Sequence, residues 1–198
     1  MSSVLDYLTS VIFGGALLSI ILSANDIASE NQSVYNGDML VQQMLVETAC
    51  MIEGEFRNMG VGVAEKGRIV LAADTSSIAF LCDVDRNGTP DTVRYSLGTT
   101  DEMAGTQNPL DRPLYRSVNG LSTTKIGVVT VFRMMYMTRT GDVLTTPIAA
   151  GRLSEVHSVE ITMEVQNPYT VTASGSDRQL WSTSMWQQTR LASMNTRR

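Results

Sequence analysis

Residues 4–56 read VLDYLTSVIFGGALLSIILSANDIASENQSVYNGDMLVQQMLVETACMIEGEF, and this stretch decides the fold. It holds seven acidic side chains and no Lys, Arg or Pro. An apolar run from Tyr7 to Ala24 passes without a helix breaker into an amphipathic segment. Beyond Gly60 the chain turns to short β-type runs and turn dipeptides, with fourteen of its fifteen basic residues. The composition describes a greasy helical stalk carrying a β-rich head, and a stalk points to assembly or anchoring rather than catalysis.

The apolar run of about 18 residues approaches the roughly 20 that cross a hydrocarbon core, and Val4 and Leu5 extend it. The alternative is a secretory signal, which begins with positive charge and ends at a small-residue cleavage site. Met1 to Asp6 carries no positive charge. With no Lys or Arg beside the run, the positive-inside rule has nothing to count, and the acidic flank of Asp26 and Glu30 favours an outside head. Ser10 and Gly14, and Gly15, Ser19 and Ser23, stand four apart, a spacing that lets helix backbones approach closely. Asp6 is a carboxylate at the edge of an apolar helix, placed either to meet a partner or to sit at headgroup depth near the helix N-terminus.

From Asp26 to Phe56, Val34, Val41, Leu45, Ile52, Phe56 and Met59 recur at threes, fours and sevens, a stripe that faces a core. Asn36-Gly37 predicts a kink or local unwinding there, with Asp38 capping a restarted helix. Gly60 and Gly62 end the helix. A continuous helix of this length spans about 80 Å at about 1.5 Å per residue, more than a small domain can cover. Its first half needs lipid or other subunits around it.

The chain divides into residues 1–25, a transmembrane or filament-core helix, residues 26–60, its amphipathic continuation, and residues 61–198, a β-rich head. Strands are expected at 68–72, 77–82, 92–97, 156–165 and 179–187, and a long central strand at 126–138. Val159, Ile161, Met163 and Val165 alternate with Glu160, Thr162 and Glu164, the pattern of a half-buried antiparallel strand. Thr140-Gly141-Asp142 marks a hairpin turn. The fold class is α+β, a long hydrophobic N-terminal helix packed on an antiparallel sheet.

Charge argues against a nucleic-acid partner. The formal net charge is −5; the stalk is acidic throughout and the remainder is close to neutral. No phosphate loop or nucleophile elbow occurs. The single histidine, His157, falls on the apolar side of its strand. The twelve Met residues suit adaptable packing. Glu53 and Glu55 read as a solvated helix face, and no enzyme is expected.

One motif carries chemistry. In Asp83-Val84-Asp85-Arg86-Asn87-Gly88-Thr89-Pro90-Asp91, side-chain oxygens alternate and glycine stands sixth, as in the first part of an EF-hand loop. Asp83, Asp85, Asn87 and Asp91, with the Thr89 carbonyl, would hold one Ca²⁺. The twelfth position is Arg94 instead of glutamate. The alternative is a turn in which Asp, Asn and Gly act only as turn formers. Cys50 and Cys82 form either one helix-to-sheet disulfide or two buried thiols.

Taken with "DTVRYSL" (91–97), "NPLDRPLYRSVNG" (108–120), "VVTVFRMMYMTRTGDVL" (128–144) and "VHSVEITMEV" (156–165), the apolar-then-amphipathic helix resembles the type IV pilin superfamily. Within it the chain is most similar to minor pseudopilins of the J or PilW-like type. The resemblance implies a structural subunit of an extracellular pilus-like or type II secretion pseudopilus filament, its partners copies of itself or other pilin-like subunits, held in the inner membrane before assembly. It implies that Asp6, Tyr7, Phe13, Gly14, Gly15 and Leu18 lie in the filament core, with Asp6 pairing to a neighbour's amino terminus. Where the family carries a short basic leader, a glycine cleavage site and a glutamate at the fifth position, this sequence offers only Asp6. The alternative is a membrane-anchored surface module whose β head binds a partner or Ca²⁺.

Overall fold

In the computed structural model, residues 2–64, 69–167, 171–172, 179–181 and 183–192 are described. One helix, α1 (Ser2–Arg57), runs without interruption for 56 residues. Its distal half lies on a head of antiparallel strands, and its proximal half projects away from that head. Val41, Leu45, Ala49, Ile52 and Phe56 point inward and are buried, so the stripe read from spacing is the packing face.

The expected local unwinding at Asn36-Gly37 does not occur, since α1 is helical through both residues. Gly37 is buried against Asn167, and a Cβ built on it would sit 1.9 Å from Asn167 Nδ2. Glycine serves here as a seat for a neighbouring side chain, and the helix continues through it unbroken.

The helix ends as expected. Gly60 and Gly62 both hold positive φ, +80° and +77°, and Gly60 N–H donates to Leu81 O at 2.7 Å. At Gly62 a Cβ would lie 2.9 Å from Cβ of Asp83, so glycine is needed for close approach as well as for φ.

Two sheets form the head. The first is a meander in the order β1 (Val70–Ala73), β2 (Ser77–Cys82), β3 (Asp91–Leu97), β4 (Arg112–Val118), β5 (Ser122–Val129). The second holds β6 (Val131–Met137), β7 (Val143–Leu144), β8 (Ser158–Gln166) and β11 (Thr183–Ala192) in the order β11-β8-β6-β7, and β9 (Val171–Thr172) pairs with β10 (Gln179–Leu180) separately. All pairings are antiparallel.

The expected single strand 126–138 is two strands in different sheets. Val129 pairs with Arg112 of β4, and Val131 pairs with Glu164 of β8. Between them Thr130 N–H donates to Glu164 O at 2.9 Å, which turns the chain from one sheet to the other. Two apolar faces were legible in the sequence because the run serves two sheets in succession. The expected strand 179–187 likewise divides into β10 and β11, while the part of the 68–72 run at residue 68 lies outside the described residues.

The core forms where the helix meets the first sheet and continues into the second. Phe56 stands edge-on to Phe80 at 5.1 Å between centroids and tilted to Tyr95 at 5.6 Å. Such pairs contribute about 0.5–1.5 kcal/mol each beyond area burial. In the second sheet, Phe132, Met134 and Tyr136 face Met163, Ile161 and Val159 across the β6–β8 ladder, and all six are buried. The alternation expected for β8 is therefore present, with Val165 completing its buried set.

Candidate functional site

The proximal half of α1 is apolar on every side and covered on none. Its most apolar 18-residue window has a mean hydropathy of 1.9 and no buried residue, so it is long and apolar enough to cross a membrane. Tyr7, Phe13 and Leu18 are 79%, 66% and 58% exposed. Asp6 also faces outward, and its backbone carbonyl accepts a bond from the Ser10 hydroxyl at 2.8 Å. A Cβ added at Gly14 or Gly15 meets nothing within 4 Å, so within one chain these glycines have no packing role. A contiguous apolar surface of this extent marks an interaction surface.

The aspartate motif forms the loop between β2 and β3, where Cys82 pairs with Asp91 across the hairpin. Asp83, Asp85 and Asp91 each bring a carboxylate oxygen to within 4.8 Å of the other two. Backbone geometry accounts for the convergence. Arg86 and Gly88 take positive φ, and the reversal is held by Asn87 N–H to Asp83 Oδ1 at 3.0 Å, Gly88 N–H to Asp83 Oδ2 at 2.9 Å and Val84 N–H to Asp91 Oδ2 at 3.1 Å. Asn119, at the neighbouring β4–β5 turn, donates to Asp91 Oδ1 at 2.6 Å and fixes the third carboxylate.

Asn87, expected as a further ligand, is hydrogen-bonded within the same loop. Its amide donates to Asp85 Oδ2 at 2.8 Å, and its Oδ1 accepts from Thr89 N–H at 2.8 Å and from the Thr89 hydroxyl. Three gathered carboxylates are the donor set that a hard cation takes, and the same hydrogen bonds also suit a turn of Asp, Asn and Gly. Strands flank the loop in place of the helix pair of an EF-hand, and Arg94 lies exposed on β3.

Glu55 corrects the expectation of a solvated helix face. It accepts two bonds from Arg116 Nε, at 2.9 and 3.0 Å, and one from the Arg116 terminal nitrogen at 2.5 Å. The Tyr95 hydroxyl donates to its other oxygen. Register explains the meeting, because Tyr95 and Arg116 are direct partners across β3 and β4 on the face that the helix covers. Burial raises the Tyr95 hydroxyl far above its usual value, with the Glu55 charge adding to the effect, and the bond to Glu55 raises the Arg116 guanidinium. Glu53, by contrast, bonds to Arg57 one turn on, at 2.5 Å, on the exposed side.

The two cysteines are both free. Cys82 is buried in the core, where burial pushes its thiol up, while Cys50 faces outward from the helix. No bond joins them in this structure, where one thiol lies in the core and the other at the surface. His157 precedes β8 half-buried, its backbone N–H donating to Met137 O at 2.9 Å.

A buried polar corner closes the sheet edge beside the helix. Asn108, Asp111 and Asn167 are each less than 5% exposed. Asn108 Nδ2 reaches Gln166 Oε1 at 3.0 Å, and its Oδ1 accepts from Leu110 N–H at 3.0 Å. Among the described residues Asp111 Oδ2 has no hydrogen-bond partner, and burial raises its carboxyl above the usual range. Only the turn character of Asn108-Pro109 hints at this corner from the residues alone.

Comparison with protein-family models, with curated proteins and with solved structures finds no match.

Proposed function

We propose that this chain is a structural subunit of an extracellular pilus-like or pseudopilus filament, held in the inner membrane before assembly and assembling through its N-terminal helix. The observation that carries the reading is the division of one unbroken helix into a half packed on the head and an apolar half covered by nothing in its own chain. Such a half has to be enclosed by lipid or by other helices, because exposing it to water costs about 25 cal/mol for each Å². The pilin-like reading of the sequence calls for this arrangement of helix and head. Gly14 and Gly15, bare of contacts in the monomer, are then the positions where neighbouring helices approach.

A second reading is a membrane-anchored surface module with a calcium-stabilised head, favoured by the convergence of Asp83, Asp85 and Asp91. Shearing of intact cells, followed by electron microscopy and mass spectrometry of the sheared material, separates the two. Filaments composed of this chain support the structural reading. Retention of the protein in the membrane as single copies overturns it in favour of the anchored module.

A further inference from the structure

The chain holds three Asn-Gly dipeptides, at Asn36, Asn87 and Asn119. In this dipeptide a backbone nitrogen can attack the preceding side-chain amide, and glycine, lacking a Cβ, hinders the attack least. The fold holds the three differently. Asn36-Gly37 lies within α1, its backbone fixed as helix and Gly37 buried. Asn119, at φ 53°, turns its Oδ1 to the Thr92 N–H of the neighbouring strand at 2.8 Å, away from Gly120. Asn87-Gly88, between β2 and β3, is exposed, and a Cβ at Gly88 would meet nothing within 4 Å, so a ring and a water both have room there.

We propose that Asn87-Gly88 is a self-modifying site, at which the Asp83 carboxylate drives loss of the Asn87 amide as ammonia. The inference is independent of the filament reading. Each reacting group already has its partner. The nucleophile, Gly88 N, directs its proton to Asp83 Oδ2 at 2.9 Å. The electrophile is Asn87 Cγ, whose Oδ1 accepts from Thr89 N–H at 2.8 Å and from the Thr89 hydroxyl. These donors polarise the carbonyl and are aimed where the charge of a tetrahedral intermediate develops. The bond from Thr89 N–H also folds the side chain back toward the Gly88 nitrogen as an Asx turn. The leaving nitrogen, Nδ2, rests on Asp85 Oδ2 at 2.8 Å.

Asp83 takes the Gly88 proton as Gly88 N bonds to Cγ. The oxyanion then collapses, the Cγ–Nδ2 bond breaks, and Nδ2 takes up a proton from solvent, to which Asp83 returns its own, and leaves as ammonia. Water opens the resulting succinimide at either carbonyl and gives aspartate or isoaspartate at position 87. The sum is one water consumed and one ammonia released. In either product the loop carries a fourth carboxylate beside Asp83, Asp85 and Asp91, so it grows more acidic with age.

The test follows the purified full chain in detergent with a chelator present, because a cation on Asp83 would withhold it as a base. Peptide mass spectrometry reads the change of amide to acid at Asn36, Asn87 and Asn119. Conversion at Asn87 is expected to outrun the other two, and to run at least about tenfold faster than in the same chain unfolded in urea. Asp83→Asn keeps an oxygen for the Gly88 N–H but cannot take its proton, and is expected to slow conversion by about tenfold or more. Carboxylate-driven conversion changes little across neutral pH, whereas conversion in a merely loosened turn is driven by hydroxide and climbs with pH. Conversion at Asn87 no faster in the folded chain than in urea overturns the proposal. So does an unchanged rate in Asp83→Asn, or a folded wild-type rate that climbs with pH as steeply as the unfolded one. Should Asp83→Asn lose the fold, the comparison of folded with unfolded wild type decides alone.

Discussion

Asn167, just past the end of β8, sets its amide against the backbone of Gly37, at a place where any side chain on the helix would collide with it. A Cβ there would stand 1.9 Å from Nδ2. The contact joins the second sheet to the helix close to the point where the helix leaves the head. It explains why a residue that normally weakens a helix interior by about 1 kcal/mol stands there.

Gly37→Ala is therefore expected to destabilise the protein by about 1–3 kcal/mol, despite alanine's higher helix propensity, because a buried amide must move. Chemical denaturation of the variant measures this. Combining it with Asn167→Gly is expected to cost less than the sum of the two single changes, since the collision is gone.

The Glu55, Arg116 and Tyr95 cluster ties the helix to the first sheet. Arg116→Ala leaves the Glu55 carboxylate, about one-fifth exposed, without its cation and is expected to lower stability by about 1–3 kcal/mol. Glu55→Gln with Arg116→Ala should recover part of the loss. A double-mutant cycle on melting free energies gives the coupling, and a coupling near zero would sink the idea that the pair acts as a clamp.

Asp111 supplies a pH dependence of known sign. Its carboxyl is raised in the folded chain by burial, opposed in part by the Thr106 hydroxyl. The folded state thus prefers the proton. Its contribution is favourable at pH below the ordinary carboxylate value of about 3.9 and is lost as pH rises through the raised folded value. Asp111→Asn is expected to raise stability at pH 7 by about 1–3 kcal/mol and to have little effect near pH 3, as read by thermal melts across that range.

The aspartate hairpin predicts a calcium response. Millimolar Ca²⁺ should raise the melting temperature of the wild-type chain, by the equivalent of about 2.7 kcal/mol at a hundredfold excess over Kd. Asp85→Asn with Asp91→Asn should remove that rise. All three carboxylates also accept hydrogen bonds within the turn, so the variant's melting temperature with Ca²⁺ is read against its own value without the ion. An equal Ca²⁺ response in the variant would leave the loop as a turn only.

The sequence by itself determined what local periodicity can encode. A proline-free run with its apolar stripe specified the long helix, and strict alternation specified β8. Gly60 and Gly62 marked the helix end, and the spacing of Asp83, Asp85 and Asp91 marked a loop that gathers carboxylates. Only the tertiary structure decided what depends on a distant partner. Gly37 is a breaker in isolation and a seat once Asn167 arrives, and the apolar run 126–138 divides at Thr130 because Glu164 captures its amide. Glu55 is a surface acid until strand register brings Arg116 and Tyr95 beneath it. Cys50 and Cys82 are alike as thiols in sequence, and packing leaves the first on the outer side of α1 and buries the second at the end of β2. In each case the energy comes from groups far apart in the chain, and a pattern of neighbouring residues does not carry it.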